Sequence, residues 1–142
     1  MGTTDRPKVS VCIPTYNYGH FISDAIESVL AQSFQDYELL VVDNCSTDNT
    51  RELVNRYVQG NDRIRFISHE TDLGMVNNLN ACLRHASGEY IKLLAADDFL
   101  SRTCLEKLLD IMEARQDVVL TGCARTFVDK NGRPLETHAY SD

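Results

Sequence analysis

Tyr37-Glu38-Leu39-Leu40-Val41-Val42, followed at once by Asp43, is the stretch on which the fold turns. Its apolar residues run together instead of alternating with polar ones, so both faces of the strand they form must be covered. Parallel strands sandwiched between layers of helix have this profile. Upstream, Ile22, Ala25, Ile26, Val29 and Leu30 repeat at three and four and place a helix over Phe21 to Gln32. Before that helix, Lys8 to Ile13 reads as a buried strand that Pro14 is expected to stop, because proline cannot donate to a ladder. Downstream, Ser46-Thr47-Asp48-Asn49-Thr50 supplies N-caps for a helix with a core face of Leu53, Val54, Tyr57 and Val58, ended by Gly60-Asn61-Asp62.

The pattern then repeats. Arg63 to Ile67 is a short strand, and a helix from about Gly74 to Ala86 carries Val76, Leu79, Leu83 and Ala86 on one side. Ser87-Gly88 ends that helix, Glu89 to Ala95 is a fourth strand, and Asp97-Asp98 stand at its end. A fourth helix is capped by Ser101 or Thr103, with Thr103 and Glu106 spaced as a capping box, and its face reads Leu105, Leu108, Leu109 and Met112. Asp117 to Cys123 is expected to form a fifth strand, and Thr126 to Leu135 a hairpin turning at Asn131-Gly132. Strands alternating with helices at this spacing predict an α/β fold, an open, mostly parallel sheet with helices on both faces. Ligands of such sheets bind at the carboxyl ends of the strands, where Asp43, Asp97 and Asp98 lie.

Composition narrows the function. The 142 residues, 43% hydrophobic, suit one compact domain over 1–142. A net charge of -7 argues against nucleic acid and anionic membranes as partners. The longest apolar runs are strand-sized, so no transmembrane segment is expected, and the start Met1 to Pro7 lacks an apolar signal core, which points to the cytoplasm. The cysteines at 12, 45, 82, 104 and 123 have neither zinc nor redox spacing and read as reduced thiols. Pro14-Thr15-Tyr16-Asn17-Tyr18-Gly19 after the first strand is neither a dinucleotide fingerprint nor a Walker loop. If a diphosphate binds among these carboxylates, a divalent cation must stand between the charges.

Val9-Ser10-Val11-Cys12-Ile13-Pro14-Thr15-Tyr16-Asn17, Ser28-Val29-Leu30-Ala31-Gln32-Ser33, Glu38 to Asp48, Gly88-Glu89-Tyr90-Ile91 and Asp97-Asp98 occur in that order. Together they resemble the signature blocks of family 2 glycosyltransferases, over residues 8 to about 125. The resemblance implies the GT-A, Rossmann-like fold, here its N-terminal, donor-binding part, truncated at the C-terminus. It implies an inverting transferase that moves a sugar from a nucleoside-diphosphate sugar, UDP-linked by preference, to a hydroxyl of a carbohydrate or lipid-linked acceptor. By the same resemblance Pro14, Thr15, Tyr16, Asp43 and Asn44 hold the base and ribose, Asn80 reaches ribose or sugar, and Asp97 contacts the donor. Asp97 and Asp98 would coordinate Mg or Mn.

Three departures matter. Relatives often carry an acid where Ala95 stands, so a weaker metal site is expected; Asn44 replaces a common second Asp, and Leu79 a common Arg. The general base of relatives lies in a later segment, so it is expected beyond residue 142 and this length of chain alone should not transfer sugar. Asp43 also suits a plain role as cap of the Ser46 to Thr50 turn, and Asp97 and Asp98 one as solvated turn residues. The competing function is a non-catalytic nucleotide-sugar-binding module. A signalling receiver domain fits poorly, because Pro14-Thr15 stands where its acidic pair would be and Arg125 where its lysine would be. An unpaired strand edge near the hairpin would let a second copy pair there as a homo-oligomer.

Overall fold

The computed structural model describes residues 6–129 and 132–138. The chain divides into two compact units, residues 1–102 and 103–142. The first contains β1 (Val9–Thr15), α1 (Ile22–Leu30), β2 (Tyr37–Asp43), α2 (Thr50–Val58), β3 (Ile64–Ser68), α3 (Met75–His85) and β4 (Tyr90–Leu93). Its four strands are all parallel, in the order β3-β2-β1-β4. Right-handed crossovers put α1 and α2 on one face and α3, which returns from β3 to β4, on the other. Cys12, Leu40 and Val42 accordingly pack with Ala81 and Cys82 of α3. Val11, Ile13, Leu39 and Val41 alternate with them toward the opposite face and are also buried.

β1 does not stop at Pro14 but pairs with β2 as far as Thr15 opposite Asp43. Even-numbered residues of β1 direct their backbone groups toward β4, and that ladder ends where Leu94 N–H donates to the Cys12 carbonyl, 3.0 Å. The missing N–H of Pro14 therefore falls past the last rung and costs the sheet nothing. The level ends of Thr15, Asp43 and Ser68 make a flat carboxyl edge across β1, β2 and β3.

The expected face of α3 is corrected. Asn78, Ala81 and Cys82 are its buried residues, whereas Val76 and Leu83 are 65% and 43% exposed. Small side chains let the helix approach the sheet closely, and this takes precedence over the larger apolar stripe that periodicity selects.

The second unit contains α4 (Cys104–Ala114) and an antiparallel pair, β5 (Arg125–Val128) with β6 (Pro134–His138). Leu105 and Leu109 are buried, as the helical pattern predicts. The Thr103 hydroxyl, however, makes no cap hydrogen bond. The hairpin is present, with Gly132 at φ 76°; Asn131 lies outside the described residues. Asp117 to Cys123 forms no strand, and Val119 and Leu120 are 90% and 85% exposed. β propensity measures fit to a half-buried pleated surface, and without a partner this run has none to fit.

Candidate functional site

At the carboxyl edge of the sheet two loops are stitched together. Asn17, after β1, holds a left-handed backbone (φ 58°) and its Oδ1 accepts from the N–H groups of Thr47, 2.8 Å, and Asp48, 3.3 Å. In return, Asn17 N–H donates to Ser46 Oγ, 2.8 Å, and Gly19 N–H to Asp48 Oδ2, 2.9 Å. A Cβ on Gly19 would lie 2.0 Å from Asn49 Oδ1, so any larger residue there would have to push the Asn49 side chain aside. Burial works against the charged form of Asp48, but donation by Thr50 and Gly19 more than offsets it and keeps the carboxyl below its usual range. Asp48 Oδ1 also takes up the Thr50 N–H and hydroxyl at the start of α2, whereas Asn49, the N-cap residue itself, makes no side-chain cap hydrogen bond.

Asp43 is buried beneath these loops. Its carboxylate accepts from the Ser46 N–H and hydroxyl and from Ser68 Oγ, 3.1 Å. Asn44 is buried as well: its Oδ1 accepts from Leu73 N–H, 2.8 Å, and its Nδ2 donates to Asp72 Oδ1, 2.6 Å. Asp72 in turn accepts from Gly74 N–H, 2.7 Å, and these bonds hold its carboxyl below the usual range. The cap role foreseen for Asp43 is thus realised, and both residues act on the loops around them. As placed, their polar atoms are engaged by the protein itself.

Tyr16 is 46% exposed at the rim, with Tyr18 and Phe21 beside it in sequence and also exposed. Pro14 is half-buried. Thr15 is buried, and its Oγ1 has no hydrogen-bond partner among the described residues. Such an unmet polar atom at a strand end is a point where a ligand or ordered water can be bound.

β4 leads into a turn in which Asp98 N–H donates to the Ala95 carbonyl, 3.1 Å. Asp97 and Asp98 are both exposed, and no cation pairs with either among the described residues. Only β1 separates β4 from β2, so strand spacing sets the two strands roughly 10 Å apart, with β4 ending at the level of Cys12 and β2 at the level of Thr15. Between β1 and β4 the chain order reverses direction across the sheet, the place where open α/β sheets bind ligands.

No cluster of three or more His, Cys, Asp or Glu suited to a metal occurs among the described residues. The two carboxylates nevertheless fit Mg or Mn in its usual setting, where one or two carboxylates are joined by water and substrate phosphate oxygens. They would form an open site that a diphosphate completes.

Asn80 lies exposed on α3, about 200° around the helix from Asn78. Asn78, which the sequence reading passed over, is the residue that faces the strand ends: it is buried, and its Nδ2 donates to the Val42 carbonyl, 3.0 Å. The spacing of Asn78, Ala81 and Cys82 at three and four carried that signal in their small size. Among the described residues, no helix is long and apolar enough to cross a membrane.

Comparisons with known proteins agree with this architecture. The glycosyl transferase family 2 model matches residues 10–141. The UDP-Glc:alpha-D-GlcNAc-diphosphoundecaprenol beta-1,3-glucosyltransferase WfgD of Escherichia coli is 38% identical over 104 residues, 73% of this chain and 40% of its own. The S. aureus TarS 1-349 structure in complex with UDP-GlcNAc superimposes with TM-score 0.72 at 29% identity, covering 77% of this chain and 32% of that one. The mannosyltransferase PcManGT from Pyrobaculum calidifontis, in complex with GDP-Man and Mn2+, does so with TM-score 0.69 at 30% identity, covering 77% and 33%. The chain spans about half the length of the curated relatives it matches, 53%, 46% and 48% of three that are each 35% identical to it. A GT-A sheet with laced loops at its carboxyl edge, matched almost end to end by the family model, makes this chain a member of glycosyl transferase family 2.

Proposed function

We propose that this chain binds the nucleoside-diphosphate sugar donor of an inverting glycosyltransferase, with UDP as the nucleotide and Mg or Mn as the counter-ion. The observation that carries the reading is the Asp97-Asp98 pair, exposed and without a cation partner among the described residues, on a turn next to the end of β1. The base and ribose are assigned to the end of β1 at Pro14, Thr15 and Tyr16, the sugar to the side of Asp97, and Asn80 to a more distant contact from α3. Asp43 and Asn44 serve the nucleotide by fixing the loops, since their polar atoms are engaged. UDP as donor nucleotide is supported by the UDP-GlcNAc bound to the TarS relative and the UDP-Glc in the name of WfgD.

Asp48, Asp72, Asp97 and Asp98 are exposed along this edge, so a diphosphate meets net negative charge there. A divalent ion held by Asp97 and Asp98 would neutralise that repulsion and stabilise the leaving diphosphate. The acceptor, a hydroxyl on a carbohydrate or a lipid-linked glycan, would attack the anomeric carbon opposite the leaving group. The protein's carboxylate base would take the hydroxyl proton, and the configuration would invert. None of the residues assigned here is that base.

Calorimetric titration of UDP into the chain with millimolar Mn, and again in EDTA, tests the reading. Binding in Mn and its loss in EDTA are expected. Equal affinity in both would leave a nucleotide site without a metal bridge, and no binding in either would remove the donor assignment. A second reading, a binding module without turnover, draws on Ala95 standing where relatives often have an acid. Nucleotide affinity without sugar transfer to any hydroxyl acceptor would favour it.

A further inference from the structure

We infer that Asn78 is a positioning residue for the donor site, a latch from α3 that holds the ends of β1 and β2 together; the inference rests on the donor reading above. The Asn78 side chain is 3% exposed, and its Nδ2 donates to two backbone carbonyls, Val42 at 3.0 Å and Thr15 at 3.5 Å. Only the amide nitrogen can satisfy two carbonyl acceptors, so the orientation of the group follows from its surroundings.

The two carbonyls occupy one particular gap. Thr15 directs its carbonyl toward β2, where it also accepts from Asn44 N–H, 2.9 Å. Asp43 directs its carbonyl toward β3, accepting from His69 N–H, 2.9 Å, so Val42, one residue earlier, directs its own toward β1. Asn78 therefore sits over the last rung of the β1–β2 ladder, where Thr15 leads into Tyr16 and Asp43 into Asn44. Both loops proposed to receive the nucleotide leave the sheet from this point. The Oδ1 of the same side chain is buried without a partner among the described residues, an uncompensated cost that a purely structural residue would be expected to avoid.

Asn78→Ala removes the donor, while Asn78→Asp keeps the shape and sets a carboxylate against two carbonyl oxygens. Amide hydrogen exchange followed by NMR reads the latch without any ligand. In both variants the Asn44 and Thr47 amides should exchange about tenfold faster while those of Val11 and Leu40 stay protected. UDP affinity in Mn should fall about tenfold for Asn78→Ala and further for Asn78→Asp. Ala81→Gly, which loosens the same helix elsewhere, should lower the melting temperature and leave UDP affinity unchanged.

Unchanged exchange at Asn44 and Thr47 in both variants would overturn the latch. So would an Asn78→Asp chain that behaves like the parent, since shape alone would then suffice, or an affinity loss no larger than that of Ala81→Gly. If the parent chain binds no UDP, the donor reading fails, and the exchange comparison still decides whether Asn78 holds the strand ends.

Discussion

At the amino end of the sheet the Glu38 carboxylate is buried and accepts from Ser10 Oγ, 2.5 Å, from the N–H and hydroxyl of Ser87, 2.7 Å each, and from Arg65 Nη1, 3.0 Å. At the carboxyl end Asp97 and Asp98 are exposed and, among the described residues, unpaired, and Thr15 Oγ1 and Asn78 Oδ1 are buried without partners among them. One carboxylate thus gathers β1, β2, β3 and the entry to β4 into a single knot, while the other end leaves polar capacity unspent. Full satisfaction of a buried polar group serves stability, whereas unmet donors and acceptors at a strand edge mark a place for a ligand. Substitutions at the two ends should therefore separate stability from binding.

The largest effect is expected at Asp98. On the donor reading, in which Asp98 is one of two carboxylates that would hold the ion, Asp98→Asn should weaken Mn-dependent UDP binding about a hundredfold, with little change in melting temperature. Calorimetry in Mn and in EDTA checks this, and a variant with parental affinity would erase the functional half of the contrast. Glu38→Ala is the counterpart: it should cost about 3 kcal/mol in urea unfolding, because four donors lose their acceptor, while the folded fraction binds UDP as the parent does.

Two glycines sharpen the contrast. A Cβ on Gly88 would lie 2.5 Å from Ser10 N, a backbone atom that cannot swing aside. Gly88→Ala should therefore cost about 2 kcal/mol and spare UDP affinity. On Gly19 the clash is with the Asn49 and Asp48 side chains, which can move. Gly19→Ala should be the milder lesion to stability, about 1 kcal/mol, yet weaken UDP binding by shifting the stitched loops.

The smallest effect is a dependence on pH. Burial raises the Glu38 carboxyl, but the bonds from Ser10, Ser87 and Arg65 prevail and hold it below its ordinary value of 4.5. A depressed folded value means that stability is fully present above the unfolded value and is lost as pH falls through the folded one. Melting temperatures should therefore drop below about pH 4.5 in the parent chain, and Glu38→Gln should flatten that part of the curve. An identical acid slope in both would detach Glu38 from acid stability.

The alternation of strand and helix, the parallel sheet and the acids at its carboxyl edge were legible because they rest on periodicity and on residues next to strand ends. Tyr37 to Asp43 alone required two covered faces, and the structure covers both. What was illegible depended on neighbours distant in sequence. Asp43 read first as a ligand contact and only second as a cap, and the hydroxyls of Ser46 and Ser68 around its carboxylate lie beyond any local pattern. Asp117 to Cys123 had the composition of a strand and no partner to make it one.

By itself the sequence determined the order of elements through α4, the parallel connection of β1 through β4 and the family, since each is written in local spacing or in an ordered set of short blocks. Only the tertiary structure decided that Pro14 stays inside its strand, that α3 turns Asn78 and not Val76 toward the sheet, and that Glu38 is a buried knot. Those outcomes turn on which ladder ends first, on how closely a helix can approach a sheet, and on which donors converge on a buried charge. Each is set by groups that meet across 25 or more residues of chain, as in Ser68 with Asp43 or Ser87 with Glu38, and no local pattern encodes such a meeting.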